Sequence, residues 1–161
     1  MSSRKDTLRQ TIEADHATGL AILKSFTAEQ WDMPAPSEED APWKARDVLA
    51  HIAASEPGQL GQITRCLAGE VTVPDDFDLR RFNRRSVQKQ AEKTPAQMLE
   101  EIETGHAQVL ATLETVAEAD FDKTGRHARG DILTIEQFFI RITEHRRQHA
   151  EELQKALMKS R

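Results

Sequence analysis

The stretch Ile135-Glu136-Gln137-Phe138-Phe139-Ile140-Arg141-Ile142-Thr143-Glu144-His145-Arg146-Arg147-Gln148-His149, which continues to Leu157, decides the fold. Its apolar residues recur at the spacing of one face of an α-helix. His145 and His149 stand where this apolar stripe would otherwise continue. Because four residues advance a helix by about one turn, both imidazoles leave the same face, roughly 6 Å apart. The pattern predicts two adjacent buried histidines, and a shared metal ion is the best reason to bury them.

Charged residues are expected on the other sides of this helix: Arg141, Arg146, Arg147 and Glu151. The segment from His145 to His149 also has arginine where the zinc-protease motif H-E-x-x-H has its glutamate base. Peptide hydrolysis on that template is therefore excluded.

Length and composition predict one globular domain over residues 1–161, with 30% charged and 38% hydrophobic residues. The net charge of −5 argues against a nucleic-acid partner, which needs a concentrated basic surface. The basic cluster from Arg80 to Arg85 is interpreted as a solvated face. No apolar run approaches the roughly 18 residues of a membrane span, and no secretory leader is recognised at the N-terminus. The single cysteine, Cys66, fits a reducing cytoplasm, and it is interpreted as a small packed residue.

Four long segments have the periodicity of amphipathic helices, and no stretch shows sustained alternation typical of strands. The helices are expected at about Asp6–Phe26, Trp43–Leu67, Pro95–Val116 and Ile135–Leu157. Thr94 and Thr134 each precede a helix and have glutamine three residues later, which is a capping signal. The fold class is therefore all-α, a four-helix bundle. The long connection between the second and third helices, with a short helix from Leu79 to Val87, permits those two to run parallel.

Three local features carry further expectations. Trp31 should anchor the proline-rich loop after the first helix to the core. Pro57 lies inside the second predicted helix, so a kink or a short break is expected there. Asp120–Gly130 is predicted to be a loop, and His127 within it is predicted to be solvated.

A third metal ligand must come from another helix, because one helical turn cannot direct three imidazoles to one point. His51 is the best candidate, within the well-patterned second helix. His16 and His106 each lie alone on an apolar stripe, where a core role is more common than ligation. Three neutral imidazoles suit zinc, nickel, iron or copper, and a fourth position left to water is typical of reactive sites.

The pattern Trp43-x3-Asp47-Val48-Leu49-Ala50-His51-Ile52, followed by Phe82-Asn83 and a His-x3-His pair in the last helix, resembles the DinB/YfiT-like superfamily. It is also similar to the N-terminal domain of mycothiol-dependent maleylpyruvate isomerases, whose last helix typically carries Glu-x3-His. The resemblance implies an up-down-down-up bundle and a divalent-metal site of His51, His145 and His149. It also implies frequent homodimers.

For function, the resemblance implies a metal-dependent enzyme, with zinc or nickel expected and iron as an alternative. The leading hypothesis is a thiol transferase that uses a low-molecular-weight thiol on a small electrophilic substrate. The alternatives are a metal-assisted hydrolase for toxin self-protection, and a non-enzymatic stress or binding protein with a structural metal. His16, Glu56 and Asn83 are further pocket candidates, each with a structural role as its alternative.

Overall fold

The computed structural model describes residues 3–37 and 41–159. Within these ranges the helices are α1 (Arg4–Lys24), α2 (Ala28–Trp31), α3 (Ala45–Leu67), α4 (Leu79–Lys89), α5 (Pro95–Thr115) and α6 (Ile135–Lys159). Between α5 and α6 lie a 3₁₀ turn (Glu118–Asp122) and an antiparallel hairpin of β1 (Thr124–Arg126) and β2 (Ile132–Thr134). The predicted all-α four-helix bundle is confirmed, and its long helices are α1, α3, α5 and α6.

The helix starts follow the capping signals of the sequence. Thr94 Oγ1 accepts a hydrogen bond from the backbone N–H of Gln97 at 3.1 Å, while the Gln97 side chain accepts one from the Thr94 N–H. Thr134 and Gln137 make the same reciprocal pair. These bonds satisfy backbone donors that have no partner inside the helix, so the ends of α5 and α6 are set locally.

Contacts between side chains show how the long helices are arranged. Arg4 pairs with Glu136 and Arg147 with Asp15, so α1 and α6 run in the same direction. Lys24 pairs with Glu103, whereas Lys5 donates to the Glu114 carbonyl, so α5 runs opposite to α1. The start of α3 packs with the end of α6 in one apolar cluster, and the end of α3 packs with the start of α6 in another. Helices α1 and α6 therefore run in one direction, and α3 and α5 run in the opposite direction.

The close packing of α1 on α6 depends on Gly19. A Cβ added at Gly19 would lie 3.3 Å from the Cα of Arg147 and 3.5 Å from the Cγ of Arg146. Both contacts are on α6. Within the described chain, α1 and α6 contact each other more extensively than any other pair of helices. A glycine here permits the close approach that brings the polar middle of α6 into the interior.

The sequence-based boundaries need three corrections. The predicted Asp120–Gly130 loop contains the end of the 3₁₀ turn and all of β1, and sequence periodicity cannot reveal a strand of three residues. The loop after α1 contains α2, which buries Trp31 as expected. Helix α3 continues through Pro57, so no break occurs there. Within the described residues, no helix is both long and apolar enough to cross a membrane.

Candidate metal centre

The three predicted ligands meet between α3 and α6. His145 Nε2 lies 3.3 Å from His51 Nε2 and 3.0 Å from His149 Nε2. The ligand nitrogens of the three rings all lie within 4.8 Å of one another. His51 and His149 are buried, and His145 is partly exposed. Among the described residues, this is the one group of three or more potential ligand side chains found to converge in this way.

Two of the nitrogen–nitrogen separations in this group are close to those expected around a tetrahedral ion. Ligand nitrogens about 2.05 Å from zinc and separated by the tetrahedral angle lie about 3.3 Å apart. The separation of 3.3 Å between His51 and His145 matches this value, and the 3.0 Å between His145 and His149 is slightly shorter. At these distances one divalent cation could accept nitrogen lone pairs from the three rings.

Local packing explains why these rings converge. His51 belongs to the same buried face of α3 as Val48 and Ile52, which are fully covered by the core. The Trp43 ring lies 5.7 Å from the His51 ring, so the tryptophan before the helix covers the histidine from one side. The i,i+4 spacing of His145 and His149 brings their ring centroids to 4.4 Å.

Burial keeps His145 neutral. The pKa of His145 is held well below its usual value, first by burial and then by the neighbouring His149 and His51. A lowered imidazole pKa means that the ring is unprotonated at neutral pH. An unprotonated nitrogen is the form that coordinates a metal, so His145 needs no deprotonation before binding.

One carboxylate orients a ligand of this group. Glu152 Oε2 lies 3.5 Å from His149 Nδ1, which leaves Nε2 of that ring facing the other two histidines. The remaining carboxylates near the ligands in sequence are used elsewhere. Asp47 accepts the Lys44 backbone N–H, and Glu144 accepts from Gln148. A carboxylate on the outer nitrogen is a common support for a metal-binding histidine.

A cavity of about 280 Å³ opens beside the triad, and His51 and His145 lie in its wall. Asn83 of α4, one of the pocket candidates, is buried and lines the same cavity. Gln59 and Gln62 of α3 complete much of its polar wall. The arrangement can hold a small molecule next to the three histidine nitrogens.

Glu56, a pocket candidate with a structural role as its alternative, pairs with Arg146 inside the bundle. Arg146 was expected on a solvent-facing side of α6, but its side chain is fully buried. Its Nε and Nη2 atoms donate to the two oxygens of Glu56 at 2.6 and 2.9 Å. Burial raises the pKa of Glu56, while the charge of Arg146 lowers it, and the two-pronged geometry is that of a carboxylate paired with a guanidinium. Glu56 is therefore a buried ion-pair partner and not part of the cavity wall.

His16 and His106 extend this ion pair across the bundle. His16 Nδ1 contacts Arg146 Nη1, and the His16 and His106 rings stack with centroids 3.6 Å apart. Burial, together with Arg146, lowers the pKa of His16 to about 3 and that of His106 to about 4. The polar layer Glu56–Arg146–His16–His106 thus takes one residue from each long helix. His16, proposed for the pocket, belongs to this layer instead.

His127 was predicted to be solvated, and this is wrong. It is buried in the turn of the β1–β2 hairpin, lines the cavity, and has a pKa lowered to about 4, chiefly by burial. Gly125 permits this placement, because a Cβ there would lie 2.9 Å from Thr72 and 3.1 Å from the Cys66 sulfur. The strands are too short for a sequence pattern, so no local signal in the sequence distinguishes this histidine from a loop residue.

Comparison with solved structures places this architecture among known proteins. A mycothiol-dependent maleylpyruvate isomerase is 12% identical with a TM-score of 0.77; the match covers 94% of this chain and 61% of the isomerase. This chain therefore spans less than two thirds of that protein. YfiT from Bacillus subtilis, described as a probable metal-dependent hydrolase with an unusual four-helix bundle topology, is 22% identical with a TM-score of 0.71, covering 97% of this chain and 90% of YfiT.

The colibactin self-resistance protein ClbS, solved in complex with double-stranded DNA, is 12% identical with a TM-score of 0.76, and the match covers 96% of each chain. At these identities the likeness concerns the fold. No curated protein matches this sequence. The sequence profile of the DinB superfamily matches residues 11–153, which include the three histidines of the triad. Because that match spans most of the chain, this protein belongs to the DinB superfamily.

Proposed function

We propose that this protein is a metal-dependent enzyme in which His51, His145 and His149 hold one divalent cation. The observation that carries the proposal is the convergence of three imidazoles beside a cavity. Zinc or nickel is the expected metal, with iron as an alternative, because these ions accept imidazole nitrogen. The expected reaction is transfer of a low-molecular-weight thiol onto a small electrophile.

The fourth coordination position supports a reactive role over a structural one. A structural site would have its fourth ligand from the protein, such as a further histidine like His16. His16 instead contacts Arg146 and stacks on His106. The converging group consists of three histidines among the described residues, and the cavity lies beside it.

A bound divalent cation lowers the pKa of a coordinated thiol or water, which supplies a nucleophile at neutral pH. The chain's own residues provide the setting. Glu152 orients His149, and burial keeps His145 unprotonated. The cavity wall, with Asn83 opposite α3, would hold the electrophile close to the triad and limit access of bulk water.

Two other functions differ from this one in testable ways. A metal-assisted hydrolase would use water in place of the thiol, in line with the description of YfiT as a probable metal-dependent hydrolase. The mycothiol-dependent isomerase favours the thiol hypothesis instead. A stress or binding protein with a structural metal would need no exchangeable position.

Untagged protein titrated with zinc and with nickel tests the proposal. We expect one equivalent to bind, and we expect His149→Ala to abolish tight binding while the helical circular dichroism is retained. His106→Gln, which changes a buried histidine outside the triad, should retain the metal. Stoichiometric metal in His149→Ala would contradict the ligand assignment.

A screen of the zinc-loaded protein then separates the reaction types. Consumption of a chloro-dinitrobenzene electrophile only when cysteine or another small thiol is present would support thiol transfer. Ester hydrolysis without thiol would favour the hydrolase.

The proposed partners follow from the same site. A small-molecule substrate fits the cavity, and we expect no nucleic-acid partner despite the double-stranded DNA bound to ClbS, because the net charge is −5. The arginines of α4 from Arg80 to Arg85 are exposed and are the surface on which this expectation is tested. A cytoplasmic location and a homodimer also remain predictions. Mobility shift with duplex DNA and light scattering during gel filtration would test the DNA and dimer predictions.

A further inference from the structure

His127 has one ring nitrogen engaged by its own loop and one without a hydrogen-bond partner. The backbone N–H of Arg129 donates to His127 Nδ1 at 3.2 Å. Since Nδ1 accepts a hydrogen bond, the neutral ring must carry its proton on Nε2. His127 Nε2 is buried and has no hydrogen-bond partner among the described residues, and the side chain lines the cavity beside the triad. The turn thus presents one N–H donor to this cavity.

Two acceptors belong to the same cavity. The Oε1 atoms of Gln59 and Gln62 are buried and also have no hydrogen-bond partner in the described chain. Both side chains are at least nine-tenths buried and line the cavity. They follow His51 on α3 by roughly two and three helical turns. A buried polar atom without a partner costs about 1–3 kcal/mol, and three of them in one cavity call for a ligand that satisfies them.

The charges around this part of the cavity balance, because Arg129 and Arg141 are offset by Glu144, which also lines it, and by Asp131. His127 is unprotonated at neutral pH, and the glutamine amides carry no charge. Arg141, which also lines the cavity, is paired with Asp131 at 3.2 Å. A carboxylate ligand would bring acceptor oxygens against the two glutamine oxygens, which repel it. A group with both a donor and an acceptor would complement all three atoms.

We propose that His127, Gln59 and Gln62 form a recognition subsite for an uncharged amide group of the substrate. His127 Nε2–H donates to the amide oxygen, and the glutamine oxygens accept from the amide N–H₂. The subsite rests on the proposed function in one respect: it holds the substrate so that another part of it reaches the triad. Its role is positioning, and no bond is made or broken there.

Acetamide is the probe, titrated into zinc-loaded protein and followed through the nitrogen-15 signal of the His127 side chain. N,N-dimethylacetamide, which accepts but cannot donate, is the matched probe. We expect acetamide to bind and the dimethyl compound to bind about tenfold more weakly, the effect of losing one or two hydrogen bonds. His127→Phe and Gln62→Leu should each weaken acetamide about tenfold, with the former followed through backbone amide signals of the hairpin. Gln10→Leu, on the exposed face of α1, should leave acetamide binding unchanged.

Equal affinity for both amides, or unchanged acetamide binding in both variants, would overturn the subsite. Tighter binding of acetate than of acetamide at the His127 signal would overturn the assignment of an uncharged group. A zinc titration of the same samples keeps the two proposals apart. If zinc fails to bind wild type, the proposed function fails, and acetamide binding at His127 still decides the subsite.

Discussion

Arg146 and Glu56 form a two-pronged ion pair in the middle of the bundle, with N–O distances of 2.6 and 2.9 Å. Arg146 lies on α6 directly after His145 of the triad, and Glu56 lies five residues after His51 on α3. The pair therefore joins the two helices that carry the triad. Its energetic role differs from that of an exposed ion pair, because neither partner can be satisfied by water.

Glu56→Gln should destabilise the protein by about 3 kcal/mol or more, since Arg146 would remain charged and buried without its counter-ion. The double variant Glu56→Leu with Arg146→Met removes both charges and should recover most of that loss. Urea unfolding of the single and double variants measures the difference. A double variant no more stable than Glu56→Gln would show that the pair itself, and not the stranded charge, is what matters.

Glu152→Gln should weaken zinc binding by about tenfold, because the amide orients the Nδ1–H of His149 less strongly than a carboxylate does. Glu151→Gln is the matched control, since the Glu151 carboxylate pairs with Arg147. Competition with a chromophoric chelator gives both affinities. Equal losses in the two variants would point to a general charge effect on the cation.

Stability should fall as the pH drops below the usual histidine pKa. The folded-state pKa values of His16, His106 and His127 lie at about 3, 4 and 4, below the unfolded value of 6.5. Between these values the unfolded chain therefore binds more protons than the folded protein does. The stabilisation that these three neutral histidines contribute is complete above pH 6.5 and is lost toward pH 4. Each histidine contributes a slope of up to about 1.4 kcal/mol per pH unit.

His106→Phe should reduce the change in the free energy of unfolding per pH unit by about the contribution of one histidine. Ile102→Val, which alters the same buried face of α5 without a titratable group, should lower the free energy of unfolding equally at each pH. Urea unfolding across this pH range, with a chelator present, measures both variants. An unchanged slope in His106→Phe would mean that this ring is protonated in the folded protein.

Gly125→Ala should destabilise the protein by about 1–3 kcal/mol, because the new Cβ would lie 2.9 Å from Thr72 Cγ2. Thr72 cannot simply rotate away, since its hydroxyl donates to the Arg126 carbonyl at 2.6 Å. The hairpin must therefore shift, which should also move the nuclear magnetic resonance signals of His127. Thermal unfolding and the His127 spectrum measure the two effects.

Gly105→Ala is the matched control for that substitution. Gly105 lies inside α5, and an added Cβ would have no neighbouring atom within 4 Å. Alanine is favoured over glycine in a helix interior, so this variant should gain about 0.5–1 kcal/mol. A gain in Gly125→Ala as well would show that the hairpin packs less tightly on α3 than the distances indicate.

Sequence alone was sufficient for the four long helices and for the candidate ligands. Amphipathic periodicity and capping pairs such as Thr134 with Gln137 are local signals, because they depend on residues within one or two turns. The i,i+4 spacing of His145 and His149 puts both on one face for the same reason. The apolar periodicity of α3 is equally regular, and this pattern indicates His51 as the third candidate histidine.

Only the tertiary structure decided what the remaining polar residues do. Arg146 is buried because Glu56 lies opposite it on another helix, and a helical wheel cannot show that partner. His127 is buried because a three-residue strand pair packs against α3 through Gly125, a contact between segments distant in sequence. Burial and hydrogen bonding of a polar side chain depend on what faces it across the core, and that is a property of the packed chain.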